Sequence, residues 1–222
     1  MQGKVAFHQE GDRRLKVFCV CKSGAEYDSE WVRKLRDGVK RNLTIPYEFV
    51  CLNDIDLSLE GVTPVPLRHK WPGWWAKVEL FREVNGPSLY FDLDTVIVGN
   101  IDHLTGGEEF KAIRNFHDPK MIGSAVMWFP KPMKHVYERF CEKPFKWIEY
   151  HNRKQDGPYL GDQAFIWNSL GRNVKTFDME KDGIVSYKFH CRDGLPKNAR
   201  VVCFGGKPKA YEVKAKWLEE HW

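Results

Sequence analysis

The chain has 222 residues, of which 42% are hydrophobic, 14% aromatic and 29% charged. This composition excludes disordered, collagen-like and coiled-coil proteins, because it supplies enough apolar surface for one large core. The 35 Lys and Arg against 30 Asp and Glu give a net charge of +5, which is too small to indicate a nucleic-acid partner but suits an acidic small ligand. We expect residues 1–222 to form a single α/β domain.

Targeting and redox signals are consistent with a cytoplasmic protein. Charges interrupt residues 1–16 before an apolar segment of signal-peptide length can form, and no apolar run approaches the roughly 20 residues of a membrane span. The cysteines at positions 19, 21, 51 and 203 lie in apolar runs typical of buried strands. We therefore expect reduced core thiols rather than disulfides.

The first half of the chain alternates predicted strands and helices. An apolar run predicts a strand at 16–21, and apolar residues every three to four positions predict a helix at 31–43, capped by Asp28 or Ser29. A strand at 47–52 and a helix at 72–84 follow, and then residues 88–98 form two apolar stretches separated by an acidic pair. This alternation is typical of a mostly parallel sheet with helices on both faces.

The second half of the chain is more mixed. Further predicted strands lie at 112–116, 123–129, 174–177 and 201–204, and predicted helices lie at 132–141, 162–170 and 212–221.

The acidic pair, Asp92 and Asp94, is the strongest functional signal. Carboxylates at i and i+2 after an apolar strand point to the same side, and open α/β sheets bind ligands at the carboxyl ends of their strands. Such a pair suits a hard cation, Mn²⁺ or Mg²⁺, whose other ligands are phosphate oxygens and water. Burying two carboxylates between hydrophobic flanks without a cation would be costly.

With this motif the sequence resembles nucleotide-sugar-dependent glycosyltransferases of the GT-A fold, and within them the retaining, glycogenin-like group known as family 8. In that family an Asp-x-Asp ends a central strand and binds Mn²⁺ with the donor diphosphate, as Asp92 and Asp94 would do here. A basic residue upstream reaches the donor, and Lys77 is similarly placed. A Gly-Asp-Gln element opens a helix beneath the sugar site and matches the segment 161–163, which contains Asp162 and Gln163.

A fourth match lies near the end of the chain. The family has a His-Phe-x-Gly-x-x-Lys-Pro pattern, which the segment 203–210 resembles imperfectly. Cys203 stands in place of the metal-binding His, and Ala210 in place of Pro. Three alternatives follow for the metal: a Cys203 thiolate joins it, His190 substitutes, or the two carboxylates, phosphate and water hold it alone.

The resemblance implies a role for each site residue. The departing diphosphate develops negative charge, which a cation and fixed basic groups would stabilise. Candidates for this phosphate clamp are Lys77, Lys188, Lys207 and Lys209. Asp162 and Gln163 would face the donor sugar, although Asp162 also suits a helix N-cap. Retention would follow from a covalent intermediate or from same-face substitution. The expected donor is a UDP-sugar, and the acceptor is an unspecified glycan, lipid-linked molecule or protein.

Three tryptophans, Trp71, Trp74 and Trp75, precede the second predicted helix. Aromatic residues at helical spacing usually pack in the core, and we expect this of Trp74 in particular. The alternative is a stacking wall for a base or an acceptor sugar.

Two other functions compete with glycosyl transfer. The sequence around Asp92 also matches the first motif of haloacid dehalogenase-type phosphatases, with Asp92 as nucleophile, although that motif normally follows the first strand of its domain. A basic nucleic-acid-binding domain is the other alternative, but no nucleic-acid motif supports it.

Overall fold

The computed structural model describes residues 14–153 and 161–222. The predicted absence of a signal peptide concerns mainly residues 1–13, which lie outside the described part of the chain. The strands are β1 (Leu15–Cys21), β2 (Tyr47–Asn53), β3 (Thr63–Pro66), β4 (Ser88–Phe91), β5 (Thr95–Ile97), β6 (Lys111–Arg114), β7 (Ile122–Phe129), β8 (Lys175–Thr176), β9 (Ile184–Ser186) and β10 (Val201–Cys203).

Seven strands form a central sheet in the order β3-β2-β1-β4-β7-β6-β8. The pairs β1–β2, β1–β4, β2–β3 and β6–β8 are parallel, whereas β7 runs antiparallel to both β4 and β6. The predicted mostly parallel sheet is confirmed. Because β1, β2 and β4 point the same way, their carboxyl ends meet at one edge, directly before Asp92 and Asp94.

A second sheet has three strands in the order β5-β10-β9. Strand β10 is antiparallel to β5, with Cys203 opposite Thr95, and parallel to β9. The backbone N–H of Phe204 donates to the carbonyl of Asp94 at 3.0 Å. This pairing brings the end of the chain against the acidic pair.

The helices flank both sheets. The α-helices are α1 (Ser29–Asn42), α2 (Leu80–Glu83), α3 (Lys134–Glu142), α4 (Pro144–Asn152), α5 (Gly161–Ser169), α6 (Met179–Asp182), α7 (Tyr187–His190) and α8 (Lys216–His221), and 3₁₀ helices lie at Gly73–Glu79, Asp102–Leu104 and Ala210–Glu212. No helix in the described ranges is both long and apolar enough to span a membrane.

Helix α1 forms as its sequence predicts. The side chain of Asp28 accepts hydrogen bonds from the backbone N–H groups of Glu30 and Trp31, and such a cap contributes about 1 kcal/mol. Trp31 and Leu35 are among the residues that the helix buries against the sheet. This apolar face, rather than helix propensity, fixes the helix in place.

The central sheet separates two parts of the core. Val17 and Cys19 of β1 pack on the side of α1, whereas Phe18 packs with Trp75 and Tyr90 on the other side. Burying an aromatic ring of this kind stabilises the fold by about 1.5–3 kcal/mol. All six cysteines are free, and only Cys141 is exposed, so the prediction of reduced core thiols is confirmed for positions 19, 21, 51 and 203.

Two predicted helices are wrong in form. Residues 72–84 are predicted as one α-helix, but they form the 3₁₀ helix Gly73–Glu79 followed by the short α2. Trp75 to Glu79 are all buried, so no polar face imposes the α-helical period. The predicted helix at 212–221 is shortened to α8, because Val213 and Ala215 adopt extended backbone angles.

Candidate active site

A cavity of about 750 Å³ lies at the carboxyl ends of the central strands. Among its lining residues are all the site residues predicted from the sequence: Lys77, Asp92, Asp94, Asp162, Gln163, Lys188, Lys207 and Lys209. These side chains come from the first 3₁₀ helix, the segment between β4 and β5, α5, α7 and the segment after β10. The fold therefore brings together residues that lie far apart in the sequence.

Lys77 is the centre of a buried cluster at one end of the acidic pair. Its Nζ lies 2.8 Å from Asp92 Oδ1 and 3.1 Å from Asp162 Oδ2, and it donates to Ser124 Oγ at 2.8 Å. Ser124 donates in turn to Asp162 Oδ2 at 2.8 Å. All three ammonium hydrogens can therefore be used, which fixes the relative positions of the two carboxylates.

Electrostatics keep this cluster charged. Burial of Lys77 favours its neutral form, but the nearby carboxylates of Asp162 and Asp92 outweigh that effect and raise the pKa of Lys77. Tyr90, which donates to Asp92 Oδ1 at 2.6 Å, has its pKa raised well above the usual value by burial and by the charge of Asp92. The tyrosine therefore remains a hydrogen-bond donor.

Asp94 belongs to a second cluster. Lys209 Nζ lies 2.7 Å from Asp94 Oδ2 and donates to the hydroxyl of Tyr27 at 2.5 Å, and that hydroxyl donates to Asp94 Oδ2 at 3.1 Å. Glu26 Oε1 lies 3.4 Å from the same ammonium group. Burial and then the charge of Asp92 raise the pKa of Asp94.

The metal ligands predicted from the sequence are the carboxylates of Asp92 and Asp94. In the described ranges, no three His, Cys, Asp or Glu side chains are grouped to hold a metal ion. Burial and the charges of Asp94 and Asp92 raise the pKa of the Cys203 thiol well above its usual value, which favours the thiol over the thiolate that ligation requires. The ring of His190 accepts a hydrogen bond at Nδ1 from the backbone of Ser186.

The two carboxylates nevertheless fit a divalent cation. Asp92 and Asp94 use one oxygen each, Oδ1 and Oδ2 respectively, in their hydrogen bonds and ion pairs to described residues, which leaves the other oxygen of each free. The partly exposed carboxylate of Asp92 and the buried carboxylates of Asp94 and Asp162 face only two buried ammonium groups, so the cluster carries an excess of negative charge. Hard cations with several open positions bind such oxygen donors.

Two further lysines lie at the mouth of the cavity. Lys207 is largely exposed, and its Nζ lies 2.8 Å from Glu212. Lys188 lines the same cavity. Its Nζ lies close to Gly206, because a Cβ atom added at Gly206 would be only 3.0 Å from it. Gly206 has φ +77°, a left-handed conformation that favours glycine. The segment 205–207 therefore gathers positive charge at the open side of the cavity.

The structure does not place Asp162 at the N-cap of a helix. Helix α5 begins at Gly161, so Asp162 lies within its first turn, and its Oδ2 contacts Lys77 and Ser124. Gln163 also lines the cavity. The carboxylate and the amide therefore lie side by side at the start of α5.

Sequence reasoning missed two residues that organise the site. Ser124 links Lys77 to Asp162, and Tyr27 links Lys209 to Asp94. The strand containing Ser124 was predicted at 123–129, but no sequence feature singled out its hydroxyl. Tyr27 lies in the loop before α1. The spacing of residues in a loop does not predict a contact with Lys209, which lies far away in the sequence.

The expected core position of Trp74 is wrong. Trp74 is 60% exposed and lines the cavity, whereas Trp71 and Trp75 are 4% and 1% exposed. His69 stacks on Trp71 with ring centroids 4.1 Å apart, and neither residue is among those that line the cavity. The tryptophans therefore divide between the core and the cavity.

Solved structures of glycosyltransferases share this fold. GlyE from Streptococcus pneumoniae TIGR4 has a TM-score of 0.61 at 12% identity, with 94% of this chain and 59% of that chain covered. An active-site mutant of LgtC has a TM-score of 0.65 at 11% identity, with 92% and 93% covered. The galactosyltransferase LgtC with donor and acceptor sugar analogues has a TM-score of 0.60 at 12% identity, with 88% and 89% covered.

The likeness is one of fold. No protein-family model and no curated protein sequence matches the chain. The chain spans about three fifths of the length of GlyE but nearly the whole of LgtC. It therefore has the GT-A fold of LgtC-like glycosyltransferases. The acidic pair lies in this fold and not in the fold of a haloacid dehalogenase-type phosphatase.

Proposed function

We propose that residues 1–222 form one catalytic domain that transfers a sugar from a nucleotide-diphosphate sugar, specifically a UDP-sugar, to a glycan, lipid-linked or protein acceptor. The observation that carries this proposal is the cavity in which Asp92 and Asp94 meet the buried ammonium groups of Lys77 and Lys209. Negative and positive groups at hydrogen-bond distance suit a metal-bound diphosphate better than a neutral ligand.

Each end of the cavity has its own role. Lys209, with Lys188 and Lys207 at the mouth, would bind the diphosphate and stabilise the charge that develops when the sugar leaves. At the other end Lys77 holds Asp92 and Asp162 in place. Asp162 and Gln163 would contact the donor sugar, and we propose that transfer proceeds with retention.

Asp92 and Asp94 would hold the cofactor, Mn²⁺ or Mg²⁺, through their unpaired carboxylate oxygens, with diphosphate oxygens and water as the remaining ligands. When bound, the cation would supply Lewis-acid stabilisation of the diphosphate. The buried, protonated Cys203 thiol would lie outside this ligand set.

A thermal-shift screen tests the proposal. UDP, GDP, ADP and CDP are added to the wild-type chain with Mn²⁺, with Mg²⁺ and with EDTA. UDP with Mn²⁺ at about 100 times its dissociation constant should stabilise the native state by about 2.7 kcal/mol, which raises the melting temperature by roughly 5–11 °C. The same protein should release UDP from UDP-sugars.

The matched variants are Asp94→Asn and, as a control, Asp193→Asn on the exposed loop before β10. Asp94→Asn should lose the Mn²⁺-dependent part of the UDP shift, and Asp193→Asn should keep it. Full Mn²⁺-stimulated UDP release by Asp94→Asn would contradict the assignment. Turnover of p-nitrophenyl phosphate through an aspartyl-phosphate at Asp92, without UDP binding, would favour the phosphatase alternative.

A further inference from the structure

Trp74 is a large aromatic side chain that is exposed to solvent, unlike the residues that follow it in the same 3₁₀ helix. The indole is 60% exposed, although the next five residues, 75–79, are all buried. An aromatic side chain that lines a ligand-sized cavity is typical of a ligand contact site. The position is therefore unusual for a residue whose neighbours Trp71 and Trp75 pack in the core.

The indole is also held in place. A Cβ atom at Gly161 would lie 3.0 Å from Trp74 Nε1, and Gly161 has φ +74°. Only a residue without a side chain lets the indole edge lie this close to the backbone, and the left-handed φ favours the same residue. The ring therefore rests against the start of α5 and is positioned before any ligand arrives.

This position places Trp74 at the sugar end of the cavity. It precedes Lys77 by one 3₁₀ turn, and Gly161 directly precedes Asp162. Lys77 and Asp162 are both buried beneath it. The exposed ring is therefore on the solvent side of the groups assigned to the donor sugar, where a second substrate would approach.

We propose that Trp74 is a stacking platform for a saccharide acceptor, an inference that rests on the proposed glycosyltransferase function. A pyranose ring has one face of C–H groups, which an indole plane can shield from water while the hydroxyl groups stay hydrated. The adjacent amide of Gln163 supplies a polar partner at the same end of the cavity. The acceptor class is thus a sugar ring rather than a peptide or an acyl chain.

The test follows the Trp74 ring directly. The chain is labelled with 5-fluorotryptophan, and the ¹⁹F resonance that disappears in Trp74→Phe is assigned to Trp74. The probes are lactose, maltose, cellobiose and the methyl glycosides of glucose, galactose and mannose, each added with UDP and Mn²⁺. At least one saccharide should shift the Trp74 resonance beyond the position reached with UDP and Mn²⁺ alone.

A kinetic readout accompanies the spectrum. For the saccharide that gives the largest shift, Trp74→Ala should lower kcat/KM for the acceptor by at least about tenfold. The matched control is Phe145→Ala, because Phe145 is 74% exposed on α4, and this variant should keep the wild-type value.

Three results would overturn the inference. The first is a full Trp74 shift with UDP alone, which assigns the ring to the base. The second is that no saccharide moves the resonance, and the third is that Trp74→Ala keeps the wild-type acceptor kcat/KM. Failure of the proposed function is distinguishable, because wild-type protein would then show neither a UDP thermal shift nor UDP release. A Trp74 shift with saccharide in that case would still support a sugar-binding surface.

Discussion

Replacing Lys77 with methionine should destabilise the fold strongly. The substitution keeps an unbranched side chain, shorter by one heavy atom, but removes an ammonium that lies 2.8 Å from Asp92, 3.1 Å from Asp162 and 2.8 Å from Ser124. Asp162 Oδ2 then keeps only the Ser124 hydroxyl, and Asp92 Oδ1 keeps only the hydroxyl of Tyr90. The carboxylates of Asp92 and Asp162 then lack the ammonium group that lies between them.

The magnitude follows from the burial of the group. Breaking a buried ion pair by removing one partner costs about 3–5 kcal/mol, a large part of the roughly 5–15 kcal/mol by which proteins are stable. For a chain of this size, the melting temperature should fall by about 6–20 °C. The raised pKa of Lys77 keeps the ammonium charged up to and beyond the ordinary lysine value of about 10.4, so the deficit should be constant between about pH 6 and 9.

Urea unfolding measures the free energy of unfolding directly, with Lys216→Met as the control. The Lys216 side chain is 91% exposed and lies 3.8 Å from Glu220, so its loss should cost less than about 0.5 kcal/mol. In the double variant Lys77→Met/Asp162→Asn, removal of one negative charge should recover part of the loss. A Lys77→Met protein within about 1 kcal/mol of wild type, or no recovery in the double variant, would refute the reasoning.

Two further substitutions separate chemistry from folding. Asp162→Asn should lower turnover more than it lowers affinity for the donor, because the side chain keeps its size beside Ser124 but loses its charge. Steady-state kinetics measures kcat and calorimetry measures UDP-sugar binding. Equal effects on the two would contradict the position of Asp162 at the sugar. Gly183→Ala should cost more than about 3 kcal/mol of unfolding free energy, because φ is +65° and the new Cβ would collide with the carbonyl oxygen of Asn198. Gly24→Ala, at φ +86° in open space, should cost only about 1–2 kcal/mol, and equal losses would show that steric contact is not the cause.

The elements that the sequence predicts well are those with a regular apolar pattern. Strand β1 is a continuous apolar run, and α1 has an apolar face and a capping Asp28. Both signals are local, so tertiary contacts reinforce rather than oppose them. The same locality made the acidic pair detectable, because Asp92 and Asp94 directly follow a buried strand.

The elements that escaped prediction lack such a pattern. Strand β3 has the sequence Thr-Pro-Val-Pro at the edge of the sheet and is mostly exposed, and proline normally argues against a strand unless the strand is at an edge. Strand β9 and helix α7 have only three and four residues, too few for a period to be detected. Helix α4 was not predicted, and its buried residue is a histidine, His151.

The orientation of a side chain within a correctly located segment is a harder problem. Residues 71–77 were expected to carry site residues, and they do line the cavity through Trp74 and Lys77. A 3₁₀ helix has three residues per turn, so residues 74 and 77 lie on one side. The α-helical period assumed from the sequence puts residue 74 on one face with the buried residues 78 and 81, and it therefore assigned Trp74 to the core.

The pairing of Lys209 with Asp94 depends on a register that no local pattern encodes. Strand β10 has three residues, and its register with β5 sets Cys203 opposite Thr95. The hydrogen bond from Phe204 to the Asp94 carbonyl then directs the following segment back over the cavity, where Lys209 reaches the carboxylate at 2.7 Å. A slip of one residue would turn every side chain of β10 to the opposite face. The charge balance at Asp94 is therefore controlled by the register of β10, a strand more than 100 residues further along the chain.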